Sequence, residues 1–206
     1  MPLPLARWVK GSGNQAVLGE LGLKDPSDPD PVRNVSGSRQ TAAMSQVRLR
    51  DIVTSADRGL VMGLRRGPGQ DDYLNSMEEI FAEADREQRA KPHPWAVVDA
   101  ASGAVVGFAM ISDNIPQPMD DDLVGPYFLW KLLIDESFQG RGYGAATIDA
   151  VAEYLRTRPG ADVLYTSCAD GPGSPRGFYL RYGFTDTGRT MWGENVLALR
   201  LGGRAA

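Results

Sequence analysis

The sequence has little of the residues on which many catalytic and metal sites depend. Its 206 residues include one cysteine, Cys168, and one histidine, His93. A lone cysteine excludes an internal disulfide and a cysteine-based metal cluster. A lone histidine excludes a multi-histidine metal site and disfavours a Ser-His-Asp triad. We therefore expect no metal. Because His93 sits between two prolines in a predicted loop, the carboxylates are the available catalytic bases.

Long apolar runs are also missing. No stretch approaches the ~20 apolar residues that cross a bilayer, and Met1 to Lys10 lack the apolar core and cleavage site of a signal peptide. With 42% hydrophobic and 23% charged residues, the composition is that of an ordinary globular protein. The net charge of −4 does not favour a polyanionic partner. We therefore expect a cytoplasmic protein that binds neither membranes nor nucleic acids.

The first 45 residues differ in composition from the rest. They are rich in proline, aspartate, serine and glycine, most densely from Lys24 to Pro31. Such a composition does not sustain a packed core. We therefore predict a flexible or disordered extension over residues 1–45, followed by one folded domain over residues 46–206.

The hydrophobic pattern after residue 45 predicts alternating strands and helices. Strands are predicted where apolar residues alternate or form short runs, and helices where they recur every three or four positions. Residues 91–94, with two prolines around His93, are predicted to be a loop. Antiparallel strands followed by one crossover helix indicate an α+β fold, with a mixed, mostly antiparallel sheet of six to seven strands and helices on both faces. The predicted strands are 46–52, 95–99, 104–112, 127–134, 162–168, 184–187 and 195–201, and the helices are about 54–65, 71–89, 142–158 and 174–183.

The most informative segment runs from Gln139 to Gly144 and contains three glycines. It follows the apolar strand predicted at 127–134 and precedes an amphipathic helix. Glycine has no Cβ, so backbone amides can approach a bulky anion closely. The first turn of a helix adds unpaired amides and the positive end of its dipole. The segment is therefore a candidate pyrophosphate site.

Four interpretations of this turn remain open. A Rossmann fingerprint would require G-x-G-x-x-G in the first strand-helix-strand unit, and a P-loop would require Gly-Lys followed by Ser or Thr. The spacing here is Gly140-x-Gly142-x-Gly144, late in the chain and without that lysine. A glycine-rich helix start without a ligand is the third interpretation. The fourth is the acyl-CoA loop of the GNAT acetyltransferases.

The chain resembles the GNAT acetyltransferases over residues 46–201. Residues 139–144 match the family pattern Gln/Arg-x-x-Gly-x-Gly/Ala, and the element order matches the family fold. The segment 178–184, with Tyr179 followed four residues later by Gly183 and Phe184, resembles the second hallmark. Residues 128–135 and 70–76 are similar to those of bacterial spermine/spermidine N-acetyltransferases. The resemblance implies acetyl-CoA as co-substrate and a bulge that splays the 127–134 strand from its neighbour.

The resemblance also implies which residues hold the cofactor. Backbone groups of the strand would bond the pantetheine arm, and the glycine loop would hold the pyrophosphate. Many family members carry an asparagine at the position of Pro172, and we expect Ser174 to substitute as a hydroxyl donor. The predicted cofactor residues are Leu133, Ile134, Gln139, Gly140, Arg141, Gly142, Tyr143, Gly144, Ala145 and Ser174.

Tyr179 is the predicted general acid, because a phenol with a pKa near ~10 keeps its proton at neutral pH and can give it to a thiolate. The resemblance implies the same role, and Tyr182 is the alternative. Glu194 is the predicted base or amine anchor. Further candidates on the amine side are Glu78, Glu79 and an acidic loop formed by Asp113 and Asp120 to Asp122.

The predicted function is transfer of an acetyl group from acetyl-CoA to a primary amine by direct attack in a ternary complex. A polyamine is the favoured acceptor, and Cys168 has no predicted role. The alternatives are a protein N-terminal or lysine amine, an antibiotic amine, or a catalytically silent acyl-CoA-binding module. A homodimer is also possible on base rates.

Overall fold

Seven strands and four helices make up the described part of the chain. The computed structural model describes residues 45–116 and 124–202. The strands are β1 (Val47–Asp51), β2 (Pro92–Asp99), β3 (Val105–Asp113), β4 (Tyr127–Ile134), β5 (Val163–Cys168), β6 (Thr185–Met191) and β7 (Glu194–Arg200). The helices are α1 (Ser55–Gly59), α2 (Met77–Arg86), α3 (Tyr143–Leu155) and α4 (Arg176–Tyr182).

All seven strands belong to one sheet with the order β1-β2-β3-β4-β5-β7-β6. Every neighbouring pair is antiparallel except β4 and β5, which are parallel because α3 crosses between them. This architecture confirms the predicted α+β fold with a mixed, mostly antiparallel sheet.

The sheet separates two hydrophobic clusters, one on each face. On one face, α3 packs Ile148, Val151 and Leu155 against side chains such as Leu129 of β4. On the other face, α2 contributes a second row of apolar side chains, Met77, Ile80, Phe81 and Ala84. Alternate positions of β4 therefore contact different helices, as the pleat of a strand requires.

All four helices are shorter than the sequence predicts, α1 and α2 by the largest number of residues. The second predicted helix was to begin at Asp71, whereas α2 begins at Met77. Ser76 is the N-cap, and its side chain and that of Glu79 form a reciprocal capping box that fixes the start of the helix. The first predicted helix was to reach Arg65, but α1 ends at Gly59 and turns follow it. Residues 67–75 are consequently free of regular structure.

The predicted loop around His93 is wrong, because β2 begins at Pro92. The two prolines pair only with β3, since β1 ends opposite Trp95. Proline is tolerated where one side of a strand has no partner to receive a hydrogen bond. The carbonyl of Pro94 still accepts from the Ile52 amide at 3.1 Å. The strand can therefore include both prolines.

Two further predictions concern residues outside the described ranges. The extension over residues 1–45 and the run Asp120 to Asp122 lie there, apart from Ser45. Asp113, expected with that run in an acidic loop, is instead a buried residue of β3.

Candidate active site

A cavity of about 840 Å³ lies where β4 and β5 diverge. These parallel strands share one paired position, Phe128 with Tyr165. One residue further on, the Thr166 hydroxyl donates a hydrogen bond to the carbonyl oxygen of Leu129 at 3.0 Å. Beyond that contact the described residues of the two strands do not pair, and a slot opens between their carboxyl ends.

A bulge in β4 accompanies this divergence. Met110 of β3 pairs with Lys131 and the next residue pairs with Leu129, so Trp130 is the extra residue. Trp130 packs on the α2 face, and the Lys131 Nζ also lies there, 3.1 Å from a carboxylate oxygen of Glu83. A bulge bends its strand and places consecutive side chains on one face. It therefore explains both the slot and the presence of Lys131 in its wall.

The loop after β4 presents a run of unbonded amides. Gly140 and Gly142 have φ angles of +74° and +85°, which side chains with a Cβ rarely adopt. Helix α3 begins at Tyr143, and its first amide bonded within the helix is that of Ala146. From Gly140 to Ala145, no amide donates to an acceptor among the described residues. Such amides fit the oxygens of a pyrophosphate.

Residues far away in the sequence brace this loop. The Gln46 side-chain amide donates to the carbonyl oxygen of Arg141 at 3.1 Å, and the Tyr143 hydroxyl donates to a carboxylate oxygen of Asp99 at 2.9 Å. The bond to Asp99 raises the pKa of Tyr143, so the phenol keeps the proton that it donates. These contacts hold the amides in position before any ligand binds.

Tyr179 lies in the wall of the cavity and is 6% exposed. Helix α4 places its ring against Phe184, with centroids 5.2 Å apart. Burial raises the pKa of Tyr179, while a hydrogen bond with Thr166 acts in the opposite direction. The phenol is therefore protonated at neutral pH, as a general acid must be.

Glu194 faces the same cavity from the start of β7. The Ser167 hydroxyl donates to its carboxylate at 2.5 Å, which fixes the carboxylate beside the slot. The turn before it contains Trp192 and Gly193, with φ angles of +51° and +85°. A two-residue turn with positive φ at both positions is typical of a tight β-hairpin. Trp192 thereby lines the cavity next to Glu194.

The loop, the slot and the buried phenol agree with a comparison against known families. The model of the acetyltransferase (GNAT) family matches residues 62–184. This range includes the glycine loop and Tyr179. The chain belongs to the GNAT acetyltransferase family.

Known proteins with similar sequences include curated acetyltransferases. This GNAT protein is 27% identical over 150 residues to the spermine/spermidine N(1)-acetyltransferase of Bacillus subtilis strain 168, covering 72% of this chain and 95% of that protein. Family membership and these relatives together show an acetyl-CoA-dependent N-acetyltransferase.

Solved structures have the same fold. A putative GNAT acetyltransferase from Desulfovibrio desulfuricans has a TM-score of 0.51 and 20% identity, covering 76% of this chain and 99% of that one. A GNAT N-acetyltransferase from Escherichia coli, solved in complex with CoA, has a TM-score of 0.51 and 19% identity, covering 79% and 85%. At these identities the likeness concerns the fold alone.

Most cofactor residues predicted for the acetyltransferase line the cavity, namely Ile134, Gln139, Gly140, Gly142, Tyr143, Gly144, Ala145 and Ser174. Leu133 is 3% exposed and packs on the α2 face, and the Arg141 guanidinium lies 5.6 Å from the centre of the Phe138 ring, so neither side chain contributes to the wall. The Ser174 hydroxyl donates to the carbonyl oxygen of Ala169 at 2.6 Å.

The remaining candidates have other partners. Glu78 is absent from the cavity wall, whereas Glu79 lines it and also caps α2. The Tyr182 hydroxyl donates to Asp149 at 2.7 Å, outside the cavity. Cys168 reaches the wall, but burial raises the pKa of its thiol to about 11. A thiol in that state is a poor nucleophile at neutral pH.

His93 and Asp113 belong to a polar cluster away from the slot. The His93 ring lies 2.9 Å from a carboxylate oxygen of Asp51 and 3.4 Å from one of Asp113. The Tyr154 hydroxyl donates to Asp113 at 2.7 Å, and Arg158 forms an ion pair with it. The charge of Asp113 is therefore used within the fold rather than at the mouth of the cavity.

The described residues contain no group of three or more His, Cys, Asp or Glu side chains arranged to hold a metal ion. Among the same residues, no helix has the length and apolar character needed to cross a membrane.

Several residues of the cavity wall, and two that support the glycine loop from behind, were not predicted from the sequence. Thr166 and Ser167 are polar residues in the buried strand β5, and this polarity within a strand was the available signal. Gln46 and Asp99 carried no signal, because their partners are more than 40 positions away in the chain.

Proposed function

We propose that this acetyltransferase acts on a polyamine, and that the amine attacks acetyl-CoA directly in a ternary complex. The observation that carries the proposal is that one cavity contains the unbonded amides of the glycine loop, the buried phenol of Tyr179 and the carboxylate of Glu194. The curated Bacillus relative, named for spermine and spermidine, supports the choice of acceptor.

The cofactor would lie along the slot. When bound, acetyl-CoA supplies the activated acetyl group. The amides from Gly140 to Ala145 would hold its pyrophosphate, and backbone groups of Leu133 and Ile134 would bond the pantetheine arm. Gln139, Arg141 and Ser174 complete the proposed set of cofactor residues.

Acetyl transfer requires two proton movements that the chain must provide. A free alkyl amine has a pKa of about 10.4, so making it neutral near pH 7.4 costs about 4 kcal/mol. Glu194 accepts the proton that the amine loses as its nitrogen bonds to the acetyl carbon. Tyr179 gives its proton to the sulfur as the carbon–sulfur bond breaks. Both groups then regain their original protonation from solvent.

Direct attack is favoured over an acyl-enzyme because the only thiol in the chain is a poor nucleophile. The residue Cys168 is 3% exposed, and burial raises the pKa of its thiol to about 11. A thiol that holds its proton at neutral pH does not compete with a neutral amine for the acetyl carbon.

The charge of the cavity is compatible with a cationic acceptor. Four carboxylates line it, on Asp71, Asp72, Glu79 and Glu194. Three cations also line it, but Arg66 pairs with Asp71 at 2.8 Å, and Lys131 pairs with Glu83 at 3.1 Å. The lining carboxylates outside these two pairs outnumber the remaining cation, Arg181, by three to one. An ammonium group therefore meets net negative charge, which raises the local concentration of a polyamine.

Location in the cytoplasm and a homodimer stay predictions.

An amine panel tests the choice of acceptor. Purified protein is given acetyl-CoA with spermidine, a lysine peptide or an aminoglycoside, and release of free thiol is measured. The proposal predicts the highest kcat/KM for spermidine. A reaction with the peptide or the aminoglycoside alone would contradict the polyamine assignment and leave the family assignment intact.

A further inference from the structure

The central strand β4 contains one charged residue, Lys131, in an otherwise uncharged run from Tyr127 to Ile134. Its partner is equally unusual, because Glu83 is the one charged residue among the buried residues of α2. The two side chains are 10% and 7% exposed, and the Lys131 Nζ lies 3.1 Å from the Glu83 Oε2. The fold therefore buries a cation and an anion together, beside the cavity that Lys131 lines.

Stability alone does not explain this ion pair. Two charges that leave water lose hydration that their mutual attraction barely offsets, so two apolar side chains of similar volume are often at least as stable. Among the described residues, no donor makes a well-aligned hydrogen bond to the Glu83 Oε2. What the pair does provide is a fixed connection between α2 and β4, since separating the two would leave each charge buried without its counterion.

The ion pair and the bulge of β4 depend on each other. Leu129 and Leu132 contact the cluster on the α3 face, and Trp130 packs on the α2 face. With regular alternation, the side chain after Trp130 would point to the α3 face. The one-residue insertion instead places Lys131 on the α2 side, next to Glu83. A bulge that moved along the strand would take Lys131 away from Glu83, so the pair fixes the bulge at one position.

The bulge lies where β4 leaves β5. The Thr166 hydroxyl donates to the carbonyl oxygen of Leu129 at 3.0 Å, and beyond this contact no described residue of β5 pairs with β4. Trp130, Lys131 and Leu132 come next in β4, and all three line the cavity. The position of the bulge therefore sets the direction in which the backbone of β4 faces the slot.

Acetyl transfer in the slot would develop charge beside this backbone. As the amine nitrogen bonds to the acetyl carbon, the carbonyl oxygen takes up the electron pair of the C=O double bond, and it returns the pair when the carbon–sulfur bond breaks. Main-chain N–H groups stabilise such an oxygen when they already point at it before the reaction. A displacement of about 1 Å can reduce the rate about 100-fold. The backbone of β4 must therefore be held in place.

We propose that Lys131 and Glu83 are positioning residues of the acetyl-transfer reaction. Their ion pair fixes the bulge of β4 and so directs the backbone of this strand at the thioester oxygen. Neither side chain transfers a proton. The assignment rests on the proposed function, because it requires the thioester to lie in the slot.

Removing both charges together separates this role from stability. Lys131→Met alone leaves Glu83 buried and unpaired, so it should lower the Tm. Lys131→Met combined with Glu83→Met removes both charges at similar volume, and its Tm should equal or exceed that of wild type. Lys131→Glu combined with Glu83→Lys restores an ion pair of reversed polarity. The control is Arg58→Gln with Asp85→Asn, which removes a different ion pair of α2, with 2.6 Å between its charged atoms, outside the cavity.

The kcat is measured at saturating acetyl-CoA with the amine that wild type uses best. The double methionine variant should lose kcat by at least about tenfold, and amide hydrogen exchange over residues 128–132 should become faster. The Kd of CoA should change less than kcat, because the glycine loop is intact. The reversed pair should recover most of the lost kcat, since the bulge is fixed again. The control should keep both kcat and the exchange rates.

A stable double methionine variant with the kcat of wild type would overturn the assignment. A folded reversed pair as slow as that variant would also overturn it, because the loss would then reflect a direct role of the Lys131 charge. If wild type turned over no amine, the proposed function would fail. The exchange over residues 128–132 would in that case still measure whether the ion pair fixes the bulge.

Discussion

Tyr179 is a buried phenol in a cavity where most other polar side chains already have partners. The Thr166 hydroxyl is bonded to Leu129, the Ser167 hydroxyl to Glu194, and the Ser174 hydroxyl to Ala169. Burial raises the pKa of Tyr179 and so maintains its proton at neutral pH. A departing thiolate is a strong base that can accept this proton.

Tyr179→Phe should therefore reduce kcat by about 10²-fold or more, the range of general acid catalysis. The affinity for acetyl-CoA should be nearly unchanged, because the phenyl ring still fills the same space. Stopped-flow or steady-state thiol release measures kcat, and calorimetry measures the affinity.

Tyr182→Phe is the control for this prediction. Its hydroxyl is bonded to Asp149 outside the cavity, so turnover should be kept. A variant pair in which Tyr182→Phe lost turnover while Tyr179→Phe kept it would refute the assignment of the acid.

Single residues were predictable where their role depends on local spacing. Tyr179 and the glycine loop follow from short motifs, and both line the cavity. Thr166, Ser167 and Asp99 were missed because their hydrogen-bond partners lie in other strands or in a helix. Asp99, for example, meets Tyr143 only because β2 and α3 are brought together by the fold.

Among the helices and strands, α3 is the most important for cofactor binding, because the amides before and in its first turn face the cavity. Its first residue, Tyr143, is fixed to the end of β2 through Asp99, and the carbonyl of Arg141 is fixed by Gln46 at the start of β1. Preorganised amides lose less conformational entropy when an anion binds. The hydrogen bonds of Gln46 with Arg141 and of Tyr143 with Asp99 should therefore contribute to cofactor affinity without affecting the chemical step.

Tyr143→Phe should weaken CoA binding about 2- to 10-fold, the range expected when one hydrogen bond is lost. At saturating acetyl-CoA, kcat should be unchanged. Tyr182→Phe is a matched control for binding, because it also removes a phenol–aspartate hydrogen bond. Equal CoA affinity for Tyr143→Phe and wild type would mean that the Tyr143–Asp99 hydrogen bond does not contribute to cofactor binding.

The bounds of the helices and strands show what hydrophobic periodicity can predict and what it cannot. Strand β4 was predicted with the bounds it has, since its apolar run is uninterrupted. The start of α2 was predicted too early, because Asp71 and Ser76 are both plausible caps and only Ser76 has the reciprocal partner Glu79. The residues between Asp71 and Ser76 form turns without a helix or strand, which periodicity could not identify.

At the scale of the whole molecule, the polar cluster around Asp113 joins distant parts of the sheet to α3. It connects β1 through Asp51, β2 through His93, α3 through Tyr154, and the turn after α3 through Arg158. Burial raises the pKa of Asp113, but hydrogen bonds from Arg158, Tyr154 and His93 outweigh it, and the pKa is lowered from its ordinary value of 3.8.

Because the folded-state pKa of Asp113 is lowered, its contribution to stability is present above pH 3.8 and is lost as the pH falls through the folded-state value. Asp113→Asn should lower the free energy of unfolding at pH 7 by about 1–2 kcal/mol, a low figure because Arg158 is partly exposed. The difference from wild type should shrink below about pH 3.5.

Urea denaturation at pH 7 and at pH 3 measures both quantities. Asp186→Asn is a control with a surface carboxylate whose pKa is also lowered, and its effect at pH 7 should be smaller. If the difference in the free energy of unfolding between Asp113→Asn and wild type stayed constant with pH, the lowered pKa of Asp113 would not contribute to stability.

The overall architecture was predictable because the order and type of the elements restrict the possible topologies. The two-sided burial of the sheet follows from apolar patterns in the strands. The bulge at Trp130 was implied only by family resemblance, since no pattern in a continuous apolar run reveals a one-residue insertion. The hydrogen bonds of Gln70 with Gln139 and of Tyr73 with Pro172 join separate loops, and such contacts carry no periodic signal.

The most direct test of the central claim is a crystal structure of the protein with bound CoA. We predict diphosphate oxygens within hydrogen-bonding distance of the amides between Gly140 and Ala145, with the thiol end of the cofactor in the slot beside Tyr179. A diphosphate bound elsewhere, or a glycine loop left without contact to it, would contradict the account.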